Sequence, residues 1–126
     1  MKRSIEDTPI VFIGAGNLAT NLAKALYRKG FRIVQVYSRT EESARELAQK
    51  VEAEYTTDLA EVNPYAKLYI VSLKDSAFAE LLQGIVEGKR EEALMVHTAG
   101  SIPMNVWEGH VPHYGVFYPD ADFQQA

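Results

Sequence analysis

Cysteine is absent from this 126-residue chain. That excludes disulfides, thiolate-held metals and a cysteine nucleophile, and it is compatible with a reducing compartment. Long apolar runs are missing too: none approaches the roughly 20 residues that a membrane-spanning helix needs. Lys2 and Arg3 near the start are followed by no apolar stretch, so residues 1–7 do not read as a secretory signal. Positive charge is not in excess. The 13 Lys and Arg against 17 Asp and Glu leave a formal net charge of -4, and the basic residues are scattered. This is no electrostatic footprint for a nucleic acid. The expectation is a cytoplasmic protein with neither a nucleic-acid nor a membrane partner.

Several catalytic signatures are lacking as well. Ser101 stands in Ala99-Gly100-Ser101-Ile102-Pro103, not in a G-x-S-x-G elbow, which argues against a serine hydrolase. His110 and His113, with His97 as a third candidate ligand, are separated by Val111-Pro112. That spacing suits an irregular loop and not a helical metal face, so no metal is expected. No carboxylate pair stands out as acid and base. No repeat of fixed period and no low-complexity segment is present. The length suits one domain, and a hydrophobic fraction of 47% supplies a substantial core.

What the chain does contain begins at residue 10. Ile10-Val11-Phe12-Ile13 runs directly into Gly14-Ala15-Gly16-Asn17-Leu18-Ala19, and Leu18, Leu22 and Leu26 then recur at helical spacing. The order is buried strand, G-x-G-x-x-A turn, helix, which is the context of a dinucleotide-binding site. Gly14 allows the sharp turn, Gly16 lets backbone approach a pyrophosphate, and Ala19 lets the helix pack closely on the strand. The helix N-terminus offers free N–H groups and a positive dipole end to phosphates. The competing reading is a turn that only packs helix on strand.

Strands and helices alternate from there. Strands are expected over residues 10–13, 32–37, 53–56, 68–73, 94–97 and 116–118, the last stopped by Pro119. Helices are expected over 17–29, with Gly30 as its stop, over 40–51 and over 76–86. Thr40 is expected to cap the second helix, Asp75 or Ser76 the third, and residues 58–62 form a helical turn. This alternation implies a three-layer α/β fold with a doubly wound, mainly parallel sheet, whose ligand site lies at the carboxyl ends of the strands.

The turns at that edge carry the remaining candidates. Ser38-Arg39-Thr40 follows the second strand. An NAD site places an acid there for the ribose 2′-hydroxyl, but no acid appears before Glu41. A guanidinium flanked by two hydroxyls suits a 2′-phosphate instead, favouring NADP; the alternative is a solvated surface turn. After the fourth strand, Lys74 can reach a ribose hydroxyl or substrate, or point to water. After the fifth, small residues at Thr98-Ala99-Gly100 would let backbone approach a nicotinamide ring. His97, ending that strand, is either a proton donor or a structural histidine.

The order G-A-G-N-L-A, Y-S-R-T, V-S-L-K-D, H-T-A-G-S resembles the N-terminal Rossmann domain of a reductase superfamily. That superfamily includes pyrroline-5-carboxylate reductase, the deazaflavin-dependent NADP oxidoreductases and 6-phosphogluconate dehydrogenase. The similarity is greatest to bacterial Rossmann-like NADP oxidoreductases within it, and it spans about residues 9–119. It implies cofactor contacts at Gly14, Gly16, Asn17, Leu18 and Ala19, 2′-phosphate contacts at Ser38, Arg39 and Thr40, and contacts along the nicotinamide half at Leu73, Lys74, Thr98, Ala99 and Gly100. It implies hydride transfer to or from a small carbonyl or imine substrate.

Relatives continue into a helical domain that supplies substrate pocket and dimer interface. This sequence ends soon after its last expected strand, so it reads either as a truncated form or as one that lost the second domain; a Rossmann domain over residues 9–119 is expected, flanked by an extension over residues 1–8 and a tail over 120–126. Its docking face should be exposed and partly apolar, with Trp107, Tyr114, Phe117 and Tyr118 as candidates, and would favour a homodimer; alternatively these aromatics fill the core. Two other functions compete with the reductase. One is a non-catalytic nucleotide-binding sensor or interaction module. The other is a methyltransferase-like domain for S-adenosylmethionine, against which the acid-free Ser38-Arg39-Thr40 turn argues.

Overall fold

A computed structural model describes residues 8–98, 103–117 and 123–125. Strand β1 (Pro9–Ile13) has four residues with no exposure, Ile10, Val11, Phe12 and Ile13. A strand apolar on both faces belongs in the middle of a parallel sheet, where helices cover both sides. It does lie there. Around it are β2 (Arg32–Tyr37), β3 (Glu54–Thr56), β4 (Leu68–Val71), β5 (Leu94–Thr98), β6 (Tyr114–Phe117) and β7 (Phe123–Gln125), in the order β3-β2-β1-β4-β5-β6-β7. The pairings from β3 to β6 are parallel; β7 joins the β6 edge antiparallel. The order reverses between β1 and β4, which makes that point the crevice of a doubly wound sheet.

Two packed layers flank the sheet. Ile10 and Phe12 of β1, Ile33 of β2 and Ile70 of β4 meet Ala19 and Ala23 of α1 (Asn17–Arg28) and Leu47 and Ala48 of α2 (Glu41–Lys50). On the other face Val11, Ile13, Val71 and Met95 meet Phe78 and Ile85 of α3 (Asp75–Val86), together with Trp107 from a 3₁₀ turn at Met104–Trp107. Alternate residues of each strand thus serve opposite layers, as the two-residue strand period requires. Helix α1 stops at Gly30, whose φ of +97° suits glycine and whose N–H donates to the Tyr27 carbonyl at 3.0 Å. Buried Gln35 locks the loop before β4: its side chain donates to the Glu61 carbonyl at 3.1 Å and accepts from the Asn63 N–H at 2.7 Å.

The differences from expectation are local. Thr40 stands at the N-cap of α2, but its side chain makes no capping bond. Lys74, not Asp75 or Ser76, is the N-cap of α3, and Asp75 is its first helical residue. The 58–62 turn is a 3₁₀ turn at Leu59–Glu61, capped by Asp58 accepting from the Ala60 N–H at 2.9 Å. Strand β4 ends at Val71, short of 73, and β6 starts at Tyr114, ahead of 116. Trp107 is fully buried and belongs to the core, not to an exposed docking face. Phe117 is half-buried and lines a 280 Å³ apolar groove with Leu22 and Leu26 of α1, Phe31, and Leu94 and Val96 of β5. Tyr118 lies outside the described residues. No helix among the described residues is long and apolar enough to cross a membrane.

Candidate functional site

The crevice is built from the turns that leave β1, β2, β4 and β5. Gly14 leaves β1 with φ +112°, and its N–H donates to the Tyr37 carbonyl of β2 at 2.8 Å. On the other side the Ser72 N–H donates to the Ile13 carbonyl at 2.8 Å. A Cβ on Gly14 would sit 2.1 Å from the Ser72 carbonyl oxygen. Glycine is therefore required twice here, by its dihedral angle and by the closeness of the neighbouring strand.

Gly16 is different. It is the N-cap of α1 with φ -76°, a conformation open to any residue, and a Cβ added there would meet no described atom within 4 Å. Chain packing does not demand glycine at this position. What its missing side chain provides is clear space in front of the first turn of a 12-residue helix. That first turn carries no capping side chain and no acid. The N–H groups of Asn17, Leu18 and Ala19 have no partner within the helix, as at any helix start, and the dipole adds positive potential. Asn17 and Gly16 are exposed, Leu18 is half-buried, and Ala19 has no exposure because it packs on β1. An uncapped helix start of this kind can accept an anionic group.

The turn after β2 lies beside it. Ser38 is half-buried, and Arg39 and Thr40 are exposed. Arg39 Nη2 donates to Glu80 Oε1 of α3 at 2.6 Å. Glu80 is a partner that sequence reading missed, since 41 residues separate the two and no local pattern links them. After β4, half-buried Leu73 lies over Gly14, its Cδ2 3.4 Å from where a Cβ would be, and Lys74 is exposed. The Thr98 hydroxyl donates to Ser72 Oγ at 3.3 Å, tying the exits of β4 and β5 together. Ala99 and Gly100, like Ser101, lie outside the described residues.

His97 is almost fully buried. Trp107 Nε1 donates to His97 Nδ1 at 2.9 Å, and Phe78 meets both rings edge-on, at 5.3 Å from His97 and 5.2 Å from Trp107. A nitrogen that accepts from an indole N–H carries no proton, so the imidazole is neutral with its proton on Nε2. Burial against two aromatic rings marks His97 as a structural histidine at the base of the β5 exit.

Four groups elsewhere have displaced proton affinities. Burial pushes the Tyr69 hydroxyl up to about 12, and burial pushes Lys89 down. A hydrogen bond with Glu52 raises Tyr27, and a bond to its own backbone, helped by Arg90, lowers Glu92. All four lie at the amino-terminal edge of the sheet. So does a surface cavity of 460 Å³ beside Arg32, Glu52 and Asn63.

Comparison with known proteins identifies the family. The family described as NADP oxidoreductase, coenzyme F420-dependent, matches residues 9–100. Pyrroline-5-carboxylate reductase of Pseudomonas aeruginosa is 30% identical over 107 residues, covering 79% of this chain and 38% of the relative. A solved structure from Bacteroides fragilis, provisionally described as an NADP oxidoreductase, is 99% identical with a TM-score of 0.90, over 92% of this chain and 45% of that one. The (S)-3-hydroxybutyryl-CoA dehydrogenase of Ralstonia eutropha shares the fold alone, at 10% identity and a TM-score of 0.72 over 88% of this chain and 48% of that one. The chain thus spans less than half the length of each of these proteins.

Proposed function

This chain belongs to the NADP oxidoreductase, coenzyme F420-dependent, family, and from that premise we propose that it binds NADP(H) at the carboxyl edge of β1, β2, β4 and β5. The observation that carries the proposal is the uncapped start of α1 behind Gly14 and Gly16. Gly14 is explained by the fold itself, whereas Gly16 opens space that no described atom of the protein uses. A pyrophosphate approaching there would be held by the N–H groups of Asn17, Leu18 and Ala19.

The remaining contacts follow from position. Ser38, Arg39 and Thr40 would hold the adenosine 2′-phosphate, with the guanidinium supplying paired donors. The preference for NADP over NAD rests on this turn, which offers Arg39 and no acid before Glu41. Leu73, Lys74, Thr98, Ala99 and Gly100 would line the nicotinamide half. When bound, the cofactor supplies a two-electron hydride transfer. The chain's own part is to bind it, orient it and exclude water from one face. His97 would support the β5 exit through its Trp107 bond and would not move a proton.

The parent activity we infer is reduction or oxidation of a small carbonyl or imine; the imine is supported by the likeness to a pyrroline-5-carboxylate reductase. The substrate pocket would come from residues beyond this domain, and a homodimer in the cytoplasm belongs to the same reading. Calorimetric titration with NADPH and NADH tests it. NADPH binding that Arg39→Ala weakens by about tenfold or more, as expected for loss of charged hydrogen bonds, with weaker NADH binding, supports the proposal. Absence of NADPH binding overturns it. Binding without turnover on a panel of carbonyls and imines would favour a nucleotide-binding module over a reductase.

A further inference from the structure

We propose that Glu80 is a selectivity residue: an internal carboxylate that occupies Arg39 and must be displaced by the 2′-phosphate of the cofactor. This rests on the NADP(H) reading above. Strands β2 and β4 flank β1, so their carboxyl ends lie about 10 Å apart. Arg39 follows β2 and Glu80 lies in the helix that follows β4. Their 2.6 Å contact therefore spans the exit of β1, beside the glycine turn.

The pair is built to be broken. Both side chains are more than half exposed, at 53% and 69%, and exposed ion pairs are weak and screened by salt. The bond uses Nη2, the nitrogen shared by both two-donor edges of a guanidinium, so a carboxylate held on it crowds either paired grip on a phosphate. A phosphate that takes Arg39 also brings negative charge against Glu80. A cofactor lacking the 2′-phosphate has nothing to exchange for the carboxylate and leaves the pair in place. Glu80 thus lowers affinity for NADP(H) while leaving NAD(H) almost untouched.

The test is titration of the full chain with NADPH and with NADH, in wild type, Glu80→Gln, Arg39→Ala, the double variant, and Glu91→Gln. The last removes the same charge at the opposite edge of the sheet. Glu80→Gln is expected to tighten NADPH by about three- to tenfold, from loss of a weak pair and of a like-charge contact. NADH should change by less than about twofold, and the gain should vanish in the Arg39→Ala background, shrink in high salt, and be missing from Glu91→Gln. If wild type binds NADPH and Arg39→Ala weakens it, but Glu80→Gln leaves NADPH unchanged or weaker, the proposal fails and the cofactor reading stands. If wild type does not bind NADPH, or Arg39→Ala has no effect, the assignment of the turn fails and the role of Glu80 falls with it.

Discussion

Gly14 and Ser72 meet backbone to backbone where the two halves of the sheet diverge. A Cβ on Gly14 would lie 2.1 Å from the Ser72 carbonyl oxygen, and φ at Gly14 is +112°. Two residues on, Gly16 has an ordinary φ and open space around it. One glycine of the motif is therefore required by the fold, and the other leaves open the space that the proposed cofactor would use.

That division predicts opposite phenotypes. Gly14→Ala should lose about 2–5 kcal/mol of stability, from a strained backbone and from overpacking against a carbonyl that cannot yield. Gly16→Ala should stay within about 0.5 kcal/mol of wild type, as surface changes do, yet weaken NADPH by about tenfold or more because its methyl stands where phosphate must approach. Urea unfolding alongside titration separates them. A Gly16→Ala variant that binds normally would show that the space is not a phosphate site.

The Trp107 to His97 bond makes a claim about a proton. Nitrogen-15 NMR of the imidazole should show the Nε2–H form across the neutral range. Trp107→Phe removes the donor of this buried hydrogen bond, at a cost of about 1–3 kcal/mol. An Nδ1–H tautomer in wild type would contradict the assignment.

Tyr69 predicts a high-pH loss of stability. Its hydroxyl donates to the Asn63 carbonyl at 2.5 Å and accepts from the Ala66 N–H at 3.2 Å, with the side chain fully buried. The folded value is raised from 10.0 to about 12, burial being the main cause. The folded state thus keeps its proton where the unfolded state loses it. The associated stability is fully present below pH 10 and is lost as pH rises towards 12. Ultraviolet titration should show one of the 7 tyrosines ionising last. Tyr69→Phe should flatten the decline; an unchanged decline would assign it to other groups.

Lys89 acts in the opposite sense. Burial lowers its value below 10.5, so the unfolded state binds more protons just below that pH, and stability from this group rises with pH through that window. Lys89→Met should remove the rise while leaving the Tyr69 decline in place, which unfolding measured at a series of pH values would reveal.

The sequence by itself determined the alternation of strands and helices, the central place of β1 and the glycine turn. Each depends on information carried within a few residues. Four consecutive apolar side chains need cover on both faces, Leu18, Leu22 and Leu26 share a helix stripe, and a turn dihedral is a property of its own residue. The cap at Lys74, the start of β6 at Tyr114 and the missing side-chain bond at the Thr40 cap differ from the local pattern because capping and strand ends depend on neighbours that local pattern does not name. Only the tertiary structure decided that β7 runs antiparallel to β6, that Trp107 lies in the core holding His97, and that Glu80 faces Arg39. Those relationships join residues 10 and 41 positions apart or edges brought together by strand order. Their energies come from contacts that exist only once the sheet has formed, so no periodicity along the chain could report them.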